Sequence, residues 1–378
     1  MSEWKTYKWG DLISLEYGKP IPDKNLLDGQ YPVYGTNGRI GTSNLTPLCK
    51  HPSIIVGRKG AYRGVHYSNK PFSVIDTAFF IEPKTSILDL KWAYYKLLTV
   101  DINKMDSGSA IPSTDRYEIY SLSVELPPLE EQQRIAGILG SLDDKIELNR
   151  RINANLEAQA QALFQSWFVD FEPFRDGPFV DSELGKIPQG WKVETLSNLA
   201  TVIKKGITPS NSETYSHYSI PAYDDAHFPE KQSGETIKSG KYIVYNNSIL
   251  LSKLNPRIKR LWFIKTAEEN AICSTEFIPI QTKDTDLISF VYYLIDNDIF
   301  YQHALSLVNG ATGSHQRFHA EDIMQIPFAW NKDAAIDFAQ KANYILQKIE
   351  DNIRENQTLS ALRDTMLPKL MAGEINVE

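Results

Sequence analysis

Apolar residues spaced four and three apart run through two long stretches of the chain. In the first, the ladder is Ile135, Leu139, Leu142, Ile146, Leu156, Leu163 and Trp167. In the second, 203 positions further on, the corresponding residues are Phe338, Ala342, Ile345, Ile349, Leu359, Met366 and Leu370. Such spacing lays one apolar stripe along a helix, the seam of a coiled coil. Each ladder predicts about 50 Å of helix at 1.5 Å per residue. Pro127 and Pro128 stop the preceding segment, and Glu130 and Glu131 fall in the first helical turn, where the macrodipole favours negative charge. Both ladders carry asparagines at their centre, Asn149 and Asn153 in one and Asn352 and Asn356 in the other. An antiparallel pairing would set Asn149 against Asn356 and Asn153 against Asn352, under a pseudo-twofold axis that leaves the flanking parts of the chain at opposite ends. Buried amides on a seam cost stability but fix register; facing solvent they would fix nothing.

Outside the ladders the pattern changes to short β-branched runs bounded by turn residues, which read as strands. These also occur twice. Glu3-Trp4-Lys5 matches Gly190-Trp191-Lys192 at an offset of 187, SIIV at 53–56 matches SILL at 248–251 at 195, and IDTAFFI at 75–81 matches CSTEFIP at 273–279 at 198. Tyr94-Tyr95 matches Tyr292-Tyr293 inside short helical patterns, and Gly108 matches Gly310 at 202. The offset only rises, as small loop insertions in the second copy would make it. The expected fold is α+β: a domain over 1–128, a spacer helix over 129–170, a linker over 171–190, a second domain over 191–330 and a second spacer helix over 331–378. The two helices would form an antiparallel coiled coil within an internal pseudo-twofold repeat.

The net charge of −7 would argue against a polyanionic partner, but the charge is unevenly placed. Two windows at matching places in the repeat lack Asp and Glu altogether. Residues 50–75 hold Lys50, Arg58, Lys59, Arg63 and Lys70; residues 236–267 hold Lys238, Lys241, Lys253, Arg257, Lys259, Arg260 and Lys265. Local positive fields matter to a phosphate backbone more than the overall sum. Two different basic modules on a rigid spacer suggest a ruler for two unlike DNA half-sites, since twofold-related readers contact half-sites about 34–36 Å apart. No catalytic inventory accompanies them. SGETIKSGKY at 233–242 has the wrong spacing for a phosphate loop, and His315 and His319 lack a Cys or acidic partner nearby. Cys49 and Cys273 stand far apart and read as reduced, buried thiols. The absence of a long apolar run or signal segment suggests a cytoplasmic protein, not a membrane one.

With these features in view, the chain resembles the specificity subunits of type I restriction-modification enzymes. The resemblance spans essentially the whole sequence. It is carried most specifically by PPLEEQQRIAGILGSLDDKIELNRRIN (127–153), SWFVDFEPFRDG (166–177), SELGKIPQGWK (182–192) and LRDTMLPKLMAGEI (362–375), with YPVYGTNGRIG (31–41) similar to a stretch of the family's target recognition domains. The resemblance implies that each globular domain reads half of a bipartite, asymmetric site in double-stranded DNA, across a gap set by the spacer. It implies two methylation subunits docked on the helices and restriction subunits joined through them, as a host-defence system. S-adenosylmethionine, ATP and magnesium would belong to those partners, and this chain would bind no cofactor or metal and have no catalytic residues. A specificity subunit of a related nuclease-methyltransferase system of another type is the alternative.

No fixed contact motif transfers from the family, so the DNA-binding candidates come from the basic windows and turn-rich loops. In the first domain they are Asn37, Arg58, Lys59, Arg63 and Ser109. In the second they are Lys253, Asn255, Arg257, Lys259 and Arg260, with His315, Gln316 and Arg317 on a later loop. Arg suits guanine O6/N7, Gln suits adenine N6/N7, and Lys suits phosphate; simple surface exposure fits each equally well. Off the seam, Ile138, Ile152, Phe164 and Ile353 are candidates for docking a partner.

Overall fold

The computed structural model describes residues 4–22, 29–105, 112–308 and 316–377. The chain divides into two compact units, residues 1–145 with 359–378, and residues 146–358.

In the first unit, a four-stranded antiparallel sheet runs in the order Ile13–Tyr17, Ala78–Pro83, Ser53–Gly57, Val65–Ser68. Three further strands, Gly38–Ser43, Tyr31–Gly35 and Ser73–Val74, form a second, mixed sheet whose last pair is parallel. Ser53–Gly57 is buried at every position, as expected of a continuous apolar run central to a sheet. The helix Leu90–Leu98 starts at Asp89, whose carboxylate accepts from Trp92 N at 2.8 Å, the usual service of an Asp N-cap. It buries Trp92, Ala93, Tyr95 and Leu97 in the same core as Ile54, Val56, Phe79 and Ile81.

The second unit repeats this plan. Its four-stranded sheet has the order Ala200–Val202, Phe277–Thr282, Ser248–Ser252, Leu261–Ile264, and its helix Ile288–Asp296 stands where Leu90–Leu98 stands in the first. The second sheet is larger, five strands, and again contains one parallel pair, Thr214–Tyr218 with Ala271–Ser274. The matching strand order is the structural form of the rising offset in the sequence.

Two 40-residue helices, Leu129–Phe168 and Lys332–Met371, each pass from one unit into the other. Within the second unit they pack antiparallel. Asn149 donates to Asn356 Oδ1 at 2.9 Å, Asn352 donates to Asn153 Oδ1 at 2.7 Å, and nearer the sheet Phe164 and Phe168 meet Phe338 with ring centroids 5.4 and 5.5 Å apart. Asn149 and Asn352 are buried and equivalent in the repeat, and each donates to the other helix's outer asparagine. In the first unit the pairing is also antiparallel: Arg363 bridges to Asp143 at 2.7 Å, and Leu370 and Met371 join Ile135 and Leu139 in the core. Gln132, fully buried, fastens the start of the first helix. Its amide donates to the carbonyls of Ile87 and Pro127 and accepts from Asp89 N, all at 2.8–2.9 Å.

Two expectations change here. Phe164 is 2% exposed and stacks among Phe168, Phe290 and Phe338, so this off-seam aromatic is core and does not offer a partner surface. The stretch 171–190, rich in Pro and Gly, is folded: Phe179–Ser182 and Gly185–Pro188 make a hairpin, and Phe171 and Phe174 pack edge-on against Trp191 at 5.3 and 5.0 Å. Aromatic burial outweighs the loop-forming composition there.

Candidate nucleic-acid interface

In each unit the antiparallel pair at the open edge of the four-stranded sheet is joined by a long loop, residues 58–64 in the first and 253–260 in the second. Both basic windows centre on these loops. In the first unit the loop is clipped to a segment far away in sequence: Thr114 N donates to Arg58 O at 2.8 Å, Gly60 N donates to Pro112 O at 3.0 Å, and Lys59 pairs with Ser113 in an isolated β-bridge. The turn bearing Asn37 abuts it through Gly64 N, which donates to Thr36 O at 2.9 Å. Glycine is required at two of these positions. A Cβ on Gly57 would stand 2.4 Å from Thr36 O, and Gly60 has φ of +125°.

The second unit is built alike. Phe318 N donates to Lys253 O at 3.1 Å, and Leu254 pairs with Arg317 in an isolated bridge. Asn255 takes the left-handed conformation at φ +47°, which asparagine tolerates, and Ile258 N closes the turn on Asn255 O at 3.0 Å. Thus Lys253 and its neighbours come together with Arg317 and Phe318, Arg58 and Lys59 come together with residues 112–114, and Asn37 lies beside Gly64 at the far end of the first loop. Ser109 and His315 lie outside the described residues.

The cations in these loops divide into exposed and internal ones. Arg257 is exposed and Lys59 half-exposed, and among the described residues neither side chain makes an ion pair or hydrogen bond. Arg63 is 4% exposed, and its Nη2 donates to the carbonyls of Ile102, Asn103 and Met105 at 2.8–3.0 Å. Arg260 is 9% exposed and holds Asp224 in a two-pronged bridge at 2.6 and 2.8 Å, so it stays cationic and depresses that carboxyl's pKa. The expectation that Arg63 and Arg260 face DNA is therefore corrected: both are spent on fixing the loops. Lys259 is partly so, bonded to Asp296 through O at 2.6 Å and Oδ1 at 3.0 Å. Arg58 lies 4.9 Å over Tyr17 and donates to Asp76 O, while Arg317 pairs with Glu276 at 3.1 Å. These two keep part of their surface open.

Among the described residues the sequence also hid a cluster with metal-ligand chemistry, Cys49, His51 and Glu82. His51 Nδ1 contacts Pro52 O at 3.0 Å and Nε2 contacts Glu82 at 2.8 Å. Burial lowers its basicity, but the two acceptors outweigh that and raise its pKa. Burial likewise pushes the Cys49 thiol up. No helix among the described residues is long and apolar enough to cross a membrane.

The family described as type I restriction modification DNA specificity domain matches residues 1–158. The HindI specificity subunit of Haemophilus influenzae is 27% identical, over 99% of this chain and all of its own length. Over its whole length the chain is thus similar to the specificity subunits of type I restriction-modification systems. The MjaIX specificity subunit of Methanocaldococcus jannaschii is also 27% identical, over 79% of this chain and 72% of its own. A crystal structure of the type I system's S subunit from M. genitalium superimposes with a TM-score of 0.59 at 16% identity, covering 98% of this chain and 96% of that one, and so shares the fold. The names of these relatives describe them as specificity subunits of type I restriction enzymes.

Proposed function

We propose that each unit reads one half of a bipartite, asymmetric double-stranded DNA site with its clipped loop pair. Residues 58–62 with 112–114 serve one half, and 253–258 with 316–318 the other. The joining helices set the number of unread base pairs between the halves. The observation that carries this reading is the duplicated clip: the Lys59–Ser113 and Leu254–Arg317 bridges tie a basic loop to a distant polar segment at the same place in both copies. Because the two loops differ in sequence, the two half-sites differ. Arg257 and Gln316 supply base-reading chemistry, and Lys59 and Lys253 neutralise phosphate. Two methylation subunits dock on the helices, where Tyr344 is 83% exposed and Leu148 and Leu362 are also open to solvent, and restriction subunits join through them.

The test is long-read methylation mapping of DNA from cells expressing this chain with its methylation subunits. One bipartite motif, with two unlike halves around a fixed gap, supports the reading. A single undivided motif, or none, removes it.

A further inference from the structure

The two reading loops are different in sequence, yet they share one feature that electrostatics does not account for. Tyr62 is 79% exposed, among the most exposed large apolar side chains described. It stands three residues before Val65, the first residue of the returning strand. In the second unit the residue three before Leu261, the corresponding strand position, is Ile258, and it is 49% exposed. A single exposed apolar residue is ordinary. Two at the same place in a duplicated loop, each among basic neighbours, are a pattern.

The loops hold these residues rigidly. The residue after each, buried in the first loop and half-buried in the second, is tied to a helical segment that follows the sheet. Arg63 binds the carbonyls of Ile102, Asn103 and Met105, and Lys259 binds Asp296, the last residue of the helix Ile288–Asp296. From the other side the first loop is clipped by Gly57 N donating to Gly64 O at 2.7 Å, and the second by Tyr301 Oη donating to Pro256 O at 2.9 Å. An apolar side chain that must push between stacked bases needs such backing, because unstacking a step costs a few kcal/mol and a soft loop would yield first.

We propose that Tyr62 and Ile258 are paired wedges, one per half-site, each inserting at a base step and unstacking it while the surrounding cations hold phosphate. The inference rests on the DNA-reading role given above and adds a mode of recognition to it. Each half-site then requires an easily unstacked step, such as pyrimidine–purine, at a position where no hydrogen bond is read. A protein partner for the same side chains is disfavoured by their basic surroundings, and the test below would expose it.

The experiment uses the chain assembled with its methylation subunits, without S-adenosylmethionine. The probe is a duplex of the mapped site with 2-aminopurine placed in turn along each half, away from the methylated adenines. The expected result is enhanced fluorescence at one step in each half. Tyr62→Ala abolishes it in one half only, Ile258→Ala in the other only, and Tyr62→Phe keeps both. Each alanine variant weakens specific binding by roughly tenfold or more while leaving assembly and the salt slope unchanged. Specific, salt-dependent binding without any step-specific signal overturns the wedge and leaves the reading role standing. So does a signal that survives in both alanine variants. If the variants instead fail to assemble with the methylation subunits, these side chains form a protein interface and the wedge is overturned. If the wild-type complex binds no bipartite site, the underlying reading has failed.

Discussion

Replacing a seam asparagine by leucine should change sign with the number replaced. Asn149 is fully buried, donates to Asn356 Oδ1 at 2.9 Å and also reaches Glu355 Oε2 at 2.7 Å. Asn149→Leu alone removes the donor and leaves the partly buried Asn356 Oδ1 beside an apolar group. An acceptor left unpaired in partly buried surroundings costs about 1–3 kcal/mol. In a unit of this size each kcal/mol moves the melting point by about 2–4 °C, so a drop of roughly 2–12 °C is expected. Asn352→Leu, which breaks the twofold-related bond to Asn153 at 2.7 Å, should cost a similar amount. Replacing Asn149, Asn153, Asn352 and Asn356 together strands no partner amide and buries leucine on leucine, so the fourfold variant should melt above wild type. It should also lose register. Cysteine pairs placed at 149 and 356, and one heptad out of step at 149 and 349, should crosslink only in step when the other amides are kept, and in both frames when leucine replaces them. Melting by circular dichroism and crosslinking yield read the two effects separately. A neutral single variant, or a fourfold variant that melts lower, would refute the claim that the amides trade stability for register.

Other consequences follow from the division between internal and outward cations. Arg63→Ala leaves three carbonyls without their donor and should cost about 2–4 kcal/mol in stability, with the salt slope of DNA binding unchanged at temperatures where the protein is folded. Lys59→Ala should do the reverse, reducing the slope by about one with little change in melting; equal slopes for the two variants would contradict the assignment. Arg257→Ala should relax one position of one half-site, at about 1–3 kcal/mol, as read by methylation mapping. Glu157 is a pH probe of the second unit: burial first, and Asp296 second, raise its pKa to about 7. Its folded pKa lies above the unfolded one, so its favourable contribution is full below the ordinary carboxylate range and is lost as pH rises through about 7. Stability should fall over that window by at most about 1.4 kcal/mol per pH unit. Chemical denaturation across pH should show Glu157→Gln flattening this fall, and an unchanged profile would place the titration elsewhere.

Much of the architecture was legible because it was written twice. Periodicity exposed the two helices, and the matched apolar tetrads exposed the central strands of both four-stranded sheets. What the sequence could not supply was direction. Arg63 and Arg260 count as cations in a basic window, yet one caps a ring of carbonyls and the other grips Asp224, and only three-dimensional neighbours reveal that. Phe164 lies off the seam stripe and still belongs to the core, because its helix has sheet and helix on more than one side in the second unit. Tyr62 and Ile258 escaped notice for the opposite reason. An apolar residue in a loop reads as buried, and their equivalence emerges only when each is counted back from its returning strand. The loop-to-loop clips were hidden for the same reason, since their partners lie tens of residues away.

The central claim is that each unit reads its own half of the site. Its most direct test is to replace residues 191–330 with the corresponding segment of the HindI specificity subunit and map methylation by the hybrid, expressed with this chain's methylation subunits. The account predicts a motif with one half and the gap unchanged and the other half replaced. A motif altered in both halves, or an unaltered one, would contradict it.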